Sequence, residues 1–345
     1  MNLEFHYYAI AALAIRAGMP PDVAHRIARS SQQVDQAIFT WEILDLPMTV
    51  GGRANYTGAG YRTEKTQDYV FWDEDVFRNI YLPFHFIPGD RKKASRERVD
   101  GLDDPWITTP DSPLARELLV RALRSGDHFR IGIALHAYAD TWAHQNFSGR
   151  LGAANDLSPR SPLPPAGHLQ ALGSPDQTGE RWRDPRLHRP EVDNRERFLD
   201  AARMIYRFLR TSLRRDFDDE TLVIPELGEL WKRSDLDDRA RSFDFSIRYD
   251  IEPWNASIWL ADAGIVDDEE SEEKPRHYDK LRWLGAEIAK RAVRRDGLRR
   301  VDTGGRFEGS ELHKWSEAAK AHRAEALTLI DESLGASLEG RTIPR

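Results

Sequence analysis

Apolar residues recur at helical spacing along most of the chain. Positions 10, 13, 14 and 17 share one face of Leu3 to Ala17, and Gly18 followed by Pro20 and Pro21 predicts a stop and a fresh helix start. The second helix is predicted from about Asp22 to Leu44. Helical period returns from Leu114 to Leu123 and from Asp127 to Phe147; the latter is apolar on nearly every side and is predicted to be the central helix. Amphipathic segments follow near Asn194 to Arg214 and Asp216 to Arg233. A mixed stretch runs from Asp235 to Gly264, and two more helices are predicted from Arg276 to Arg295 and from Gly309 to Leu334. No alternating strand pattern of useful length is present, so the expected fold is all-α: a multi-helix bundle around a central buried helix.

Two excursions break the helical pattern. Residues 47–113 are rich in Gly, Pro, Tyr and Trp, and residues 149–193 contain Pro159, Pro162, Pro164, Pro165, Pro175 and Pro185, which exclude continuous helix. Loops of that length in a compact domain are often functional. The predicted organisation is a helical, metal-binding core over residues 1–215. A C-terminal helical extension, 216–345, is expected to pack on the same domain, with the acidic run Asp267 to Glu273 as an exposed linker.

Composition narrows the chemistry. With 345 residues and 40% apolar content the chain can bury a sizeable core. Its 50 Lys+Arg and 57 Asp+Glu give a net charge of −7, which does not mark a nucleic-acid binder. There is no cysteine, so disulfides and thiolate ligands are excluded and any metal must be held by His, Asp, Glu or backbone groups. The start Met1-Asn2-Leu3-Glu4-Phe5-His6 lacks secretory-signal features, and no uninterrupted apolar run reaches about 18 residues. The expectation is a soluble, cytoplasmic protein with no transmembrane segment.

The sharpest chemical signal is His136-x3-Asp140-x3-His144 inside the most apolar helix. Residues at i, i+4 and i+8 drift by only about 40° per step, so the three share a face. A carboxylate buried there needs a cation or strong donors. His136 and His144 are about 12 Å apart along the axis, too far to share one ion comfortably, so the spacing suggests two ions with Asp140 between them. The alternative is a set of core histidines satisfied by hydrogen bonds.

Other candidates are less marked. His6 lies on the inward face of the first helix, where a core histidine is the plainer reading. Asp35 shares a face with Ala24, Ala28 and Ser31 and needs a counter-charge, for which an arginine would serve. His85 sits in the proline-braced aromatic run Pro83 to Pro88, where ring stacking is the alternative, and His168 and Asp176 come from the second excursion. Tyr7, Tyr8, Tyr56 and Tyr138 are candidate pocket linings, and Arg53, Lys65 and Arg130 candidate phosphate contacts. His25, His128, His188, His277, His313 and His322 are assigned to surface or supporting positions.

The run GIALHAYADTWAHQNFSG, joined to the inward His6, the aspartate after SSQQV and the FHFIP segment, resembles the zinc-dependent phospholipase C and single-strand nuclease superfamily over residues 1 to about 210. The resemblance implies an all-helical fold, two or three zinc ions, and His6, Asp35, His85, His136, Asp140, His144, His168 and Asp176 as ligands. It also implies hydrolysis of a phosphate ester such as a phospholipid, nucleotide or oligonucleotide, with Asp35 and Asp140 in catalytic roles. The chain departs from that pattern in starting at Met1 where secreted members present a tryptophan, in a shorter spacing from Asp140 to His144, and in carrying Leu172 where a carboxylate is usual. The competing readings are an HD-type phosphohydrolase, which requires an adjacent His-Asp pair that this chain lacks, and a non-catalytic, partner-binding helical protein with a structural metal.

Overall fold

The computed structural model describes residues 1–44, 60–217, 219–232, 238–266 and 298–339. A π-helical segment, Glu4–Ala9, runs into α1 (Ile10–Ala17), which closes on Gly18 at φ 100°. Helix α2 (Pro21–Gln36) starts with its proline in the first turn, where no backbone donor is lost. It stops well short of Leu44, because the aromatic and β-branched residues that follow pair as β1 (Thr40–Ile43).

The first excursion holds β2 (Tyr61–Arg62), α3 (Glu74–Val76), a π-helical turn (Phe77–Tyr81), α4 (Leu82–Phe84) and α5 (Arg91–Glu97). Then come α6 (Pro113–Ser125) and α7 (His128–Ala143). They are started by Ser112, which accepts from Ala115 N–H, and Asp127, which accepts from Phe129 N–H and Arg130 N–H. The second excursion contributes three 3-10 turns and a hairpin of β3 (Arg181–Arg183) with β4 (Glu191–Asp193). The chain continues through α8 (Asn194–Ser212), α9 (Glu220–Trp231), α10 (Asp238–Tyr249), α11 (Ser257–Asp262), β5 (Leu298–Val301) and α12 (Glu311–Glu339). The expected helix at 276–295, the acidic run after 267, and Tyr56 and Arg53 lie outside the described residues.

The fold is mainly helical, but it is not strand-free. One sheet has the order β2-β1-β5, with Glu42 paired to Arg62 antiparallel and to Arg300 in parallel register. The two arginines also ion-pair with the buried Glu42 carboxylate. Strands this short show no alternation, and their partner lies more than two hundred residues away in sequence, so helical periodicity could not reveal them.

Helix α7 is buried from Ile131 to Ala143 and packs against α2, α6, α8 and α12. Its approach to α2 is set by Gly132, where a Cβ would fall 2.3 Å from the Ile27 carbonyl oxygen. Ser30 Oγ–H donates to the Phe129 carbonyl at 2.7 Å across the same contact. One core cluster joins α1, α2, α6, α7, α8 and α9 with Phe245 and Tyr249 of α10, each fully buried Leu, Ile or Phe contributing about 1.5–3 kcal/mol. Among the described residues no helix is long and apolar enough to cross a membrane.

Candidate metal centre

Eight side chains from distant parts of the chain converge beside α7. The π-helical segment places His6, the last turn of α2 places Asp35, and the residue capping α4 is His85. Helix α7 supplies His136 and Asp140 one turn apart. It ends at Ala143, not at Phe147, so His144 is its C-cap, still close to helical at φ −94° and ψ 14°. His168 and Asp176 flank two 3-10 turns, Leu169–Ala171 and Ser174–Asp176.

These residues form three groups able to hold a metal: His6, His136 and Asp140; Asp35, His85 and His136; His144, His168 and Asp176. Within each group the candidate donor atoms lie within 4.8 Å of one another. His136 and His144 fall in different groups, as the axial spacing suggested. Asp140 stands between them, its Oδ1 3.1 Å from His6 Nε2, and its Oδ2 3.1 Å from His85 Nδ1 and 3.3 Å from His136 Nε2. Asp35 Oδ1 lies 3.7 Å from His136 Nε2, so the arginine partner foreseen as an alternative is replaced by an imidazole.

Backbone carbonyls orient three of the imidazoles. His85 Nε2–H donates to Thr66 O at 2.9 Å, His144 Nδ1–H to His85 O at 2.7 Å, and His168 Nδ1–H to Leu172 O at 2.9 Å. A carbonyl accepts only, so each of these nitrogens carries a proton and the ring's other nitrogen is left to face the site; at His85 burial opposes a second proton, but Asp140, Asp35 and the Thr66 carbonyl outweigh it and raise the pKa. Those second nitrogens point at carboxylates: His85 Nδ1 at Asp140, His144 Nε2 at Asp176 Oδ1 at 3.4 Å, and His168 Nε2 at Asp176 Oδ2 at 3.3 Å. Lone pair facing carboxylate oxygen is repulsive unless a cation or proton lies between. A carbonyl-oriented imidazole with its free nitrogen turned to shared carboxylates is the usual support of a metal ligand. An all-His/Asp donor set suits zinc and does not exclude other borderline cations.

Charges around the site are balanced at close range. Burial alone would raise the Asp140 carboxyl, yet the Met1 amino group and His144, His136 and His6 hold it well below the usual range. Asp176 is held low in the same way by His168, the Met1 amine and His144 against its burial. Burial pushes His6 down to about 3, helped by His136 and the Met1 amine. The Met1 amine itself is buried and pairs with Asp140, with Asp176 Oδ1 at 3.5 Å. Burial opposes its charge, but Asp140, Asp176 and Asp35 outweigh that and raise its pKa.

The groups open onto a cleft of about 250 Å³. Asp35, His85, Asp140, His144, His168 and Asp176 stand at its floor, and Tyr69, Phe71, Tyr81, Phe86, Leu169 and Leu172 form its walls. The tyrosines expected to line it do not. Tyr7 and Tyr8 are buried against the 252–254 segment, Tyr7 O–H donating to Glu252 O and Tyr8 O accepting from Trp254 N–H, while Tyr138 O–H donates to Asp111. The expected phosphate contacts are paired with carboxylates, Arg130 with Glu325 away from the cleft and Lys65 with Asp68, which lines it. His85 does not stack in the aromatic run; Phe86 does so instead, on His144, with centroids 4.4 Å apart.

A model of the DUF6765 family matches residues 1–330, a span that contains all eight side chains. The chain belongs to the DUF6765 family. Its description is a family of unknown function. No curated protein and no solved structure matches the chain.

Several parts of the site in this DUF6765 member carried no sequence signal. The carbonyls of Thr66, His85 and Leu172 act through backbone atoms that every residue possesses. His322, assigned to a supporting role, is buried. Its Nε2–H donates to Pro83 O at 3.0 Å and its ring stacks on Phe84, bracing the segment that carries His85.

Proposed function

We propose that this chain is a metal-dependent hydrolase of phosphate esters, with two or three zinc ions held by His6, Asp35, His85, His136, Asp140, His144, His168 and Asp176. The observation that carries the reading is the orientation of His85, His144 and His168. Each donates to a carbonyl and turns its other nitrogen toward Asp140 or Asp176 in an open cleft. Closely spaced zinc ions lower the pKa of water toward about 7 and neutralise charge on a phosphate ester.

The residues present supply the rest. Asp140, enclosed by imidazoles, would be a ligand, while Asp35, with 24% of its side chain exposed at the cleft, would either be a ligand or, as the alternative, take a proton from an attacking water. Phe86 and the cleft walls exclude bulk solvent from His144. The resemblance of the donor order to zinc-dependent phospholipases C and single-strand nucleases supports the same chemistry. A purely structural metal would not need an open cleft over its ligands.

The test is metal content by plasma mass spectrometry, with hydrolysis of bis-p-nitrophenyl phosphate, on the wild type and on Asp140→Asn. Two to three zinc ions per chain and measurable hydrolysis, both lost in the variant, are expected. Unchanged metal content in Asp140→Asn would remove the assignment, and metal without hydrolysis of any phosphoester would favour the structural role.

A further inference from the structure

Beside its donor-rich floor, the cleft has two apolar lips. Phe71 lines the cleft, and Trp72 stands edge-on to Phe71, centroids 4.8 Å apart, with 55% of its surface exposed. Leu172 also lines the cleft while 41% exposed, at φ 55°, a conformation that L side chains rarely adopt. It is held there by the His168 Nδ1–H bond to its carbonyl, so the same contact orients a donor and presents an apolar side chain. Single exposed apolar residues are ordinary, but apolar side chains lining the same cleft as a cluster of His and Asp are not.

The charge pattern points the same way. No Lys or Arg among the described residues lines the cleft, and Asp68, which does, is paired with Lys65. Binding along a polyphosphate backbone depends on such cations, and the lysine beside this cleft is already paired with Asp68.

We infer that the cleft selects phosphoesters carrying a single phosphate and an uncharged apolar substituent, with Phe71 and Leu172 gripping that substituent. This rests on the phosphate-ester reading above.

The experiment is calorimetric titration of zinc-loaded protein with methylphosphonate, hexylphosphonate, thymidine monophosphate and oligothymidylate, repeated with Phe71→Ala and Leu172→Ala after checking that their zinc content is unchanged. Partial burial of the added methylenes should make hexylphosphonate about tenfold tighter than methylphosphonate, shrinking to under about threefold in each variant. Oligothymidylate should bind no tighter than the mononucleotide. A parallel titration with a long-chain alkylphosphonate in phosphatidylcholine vesicles separates a lipid-borne substrate, bound more tightly there, from a dissolved one, bound only in solution. Affinity that is flat with chain length, or that rises with the number of phosphates, overturns the inference. A hexyl preference without hydrolysis of any ester would strike the hydrolase reading alone; hydrolysis at equal kcat/KM for methyl and hexyl esters would strike the apolar-lip inference alone.

Discussion

His6 and His136 lie face to face, ring centroids 3.7 Å apart and planes 18° from parallel, and neither is exposed to solvent. Burial, with repulsion from the stacked His136 ring adding to it, lowers the His6 pKa to about 3. Both Nε2 atoms are turned to Asp140.

His136 belongs to two of the three donor groups, whereas His168 belongs to one. His136→Ala should accordingly lose zinc from both of its groups and retain at most the ion at His144 and Asp176, while His168→Ala loses only that ion. Stoichiometry by plasma mass spectrometry distinguishes them, and equal losses would mean the groups are wrongly drawn.

Removing metal should loosen the second excursion first. His168 and Asp176 are tied to the body by Asn2 N–H to Asp176 O at 3.1 Å and Asn194 Nδ2–H to Ser174 O and Gln177 O at 2.6 and 2.8 Å, and a cation between their side chains and His144 would add to these few ties. Free zinc at a thousandfold over its Kd stabilises by about 4 kcal/mol, so chelation should lower Tm by several degrees and expose residues 157–173 to protease. Restored zinc should reverse both changes; a Tm indifferent to chelator would contradict the centre.

Acid should destabilise the protein through His322 as well. Burial is the main cause that lowers its pKa from 6.5 to about 4, with Arg130 and His136 contributing. A depressed histidine stabilises fully above the unfolded value of 6.5, and that stability is lost as pH falls toward 4, because the unfolded chain takes the proton first. The shift corresponds to about 3 kcal/mol at most. His322→Gln keeps a donor for Pro83 O, so its urea-unfolding stability should decline less between pH 6.5 and 4 than that of the wild type. Parallel declines would show that His322 is not buried neutral.

Gly132→Ala should cost about 1–3 kcal/mol in urea unfolding, since the new methyl would meet the Ile27 carbonyl at 2.3 Å and Ser30 Cβ at 2.5 Å, neither of which can step aside within a helix. Because α7 carries His136 and Asp140, zinc affinity should fall with it. A neutral effect would mean that α2 and α7 are not in close contact.

The sequence by itself determined the helices and the alignment of His136 with Asp140, because helical period and i,i+4 spacing are local properties that survive any tertiary arrangement. It also placed His136 and His144 too far apart for one ion, and the structure sets them in separate groups. Only the tertiary structure decided how eight donors from residues 6 to 176 divide into those groups, which nitrogen each ring presents, and which side chains wall the cleft. Tyr138 and Arg130 had suitable chemistry, yet their partners are Asp111 and Glu325, contacts made across the fold. The strand pairing of Thr40–Ile43 with Leu298–Val301 was hidden for the same reason. A backbone carbonyl such as that of Thr66, His85 or Leu172 has the same chemistry whatever its side chain, so only its position in space makes it the acceptor that orients a histidine.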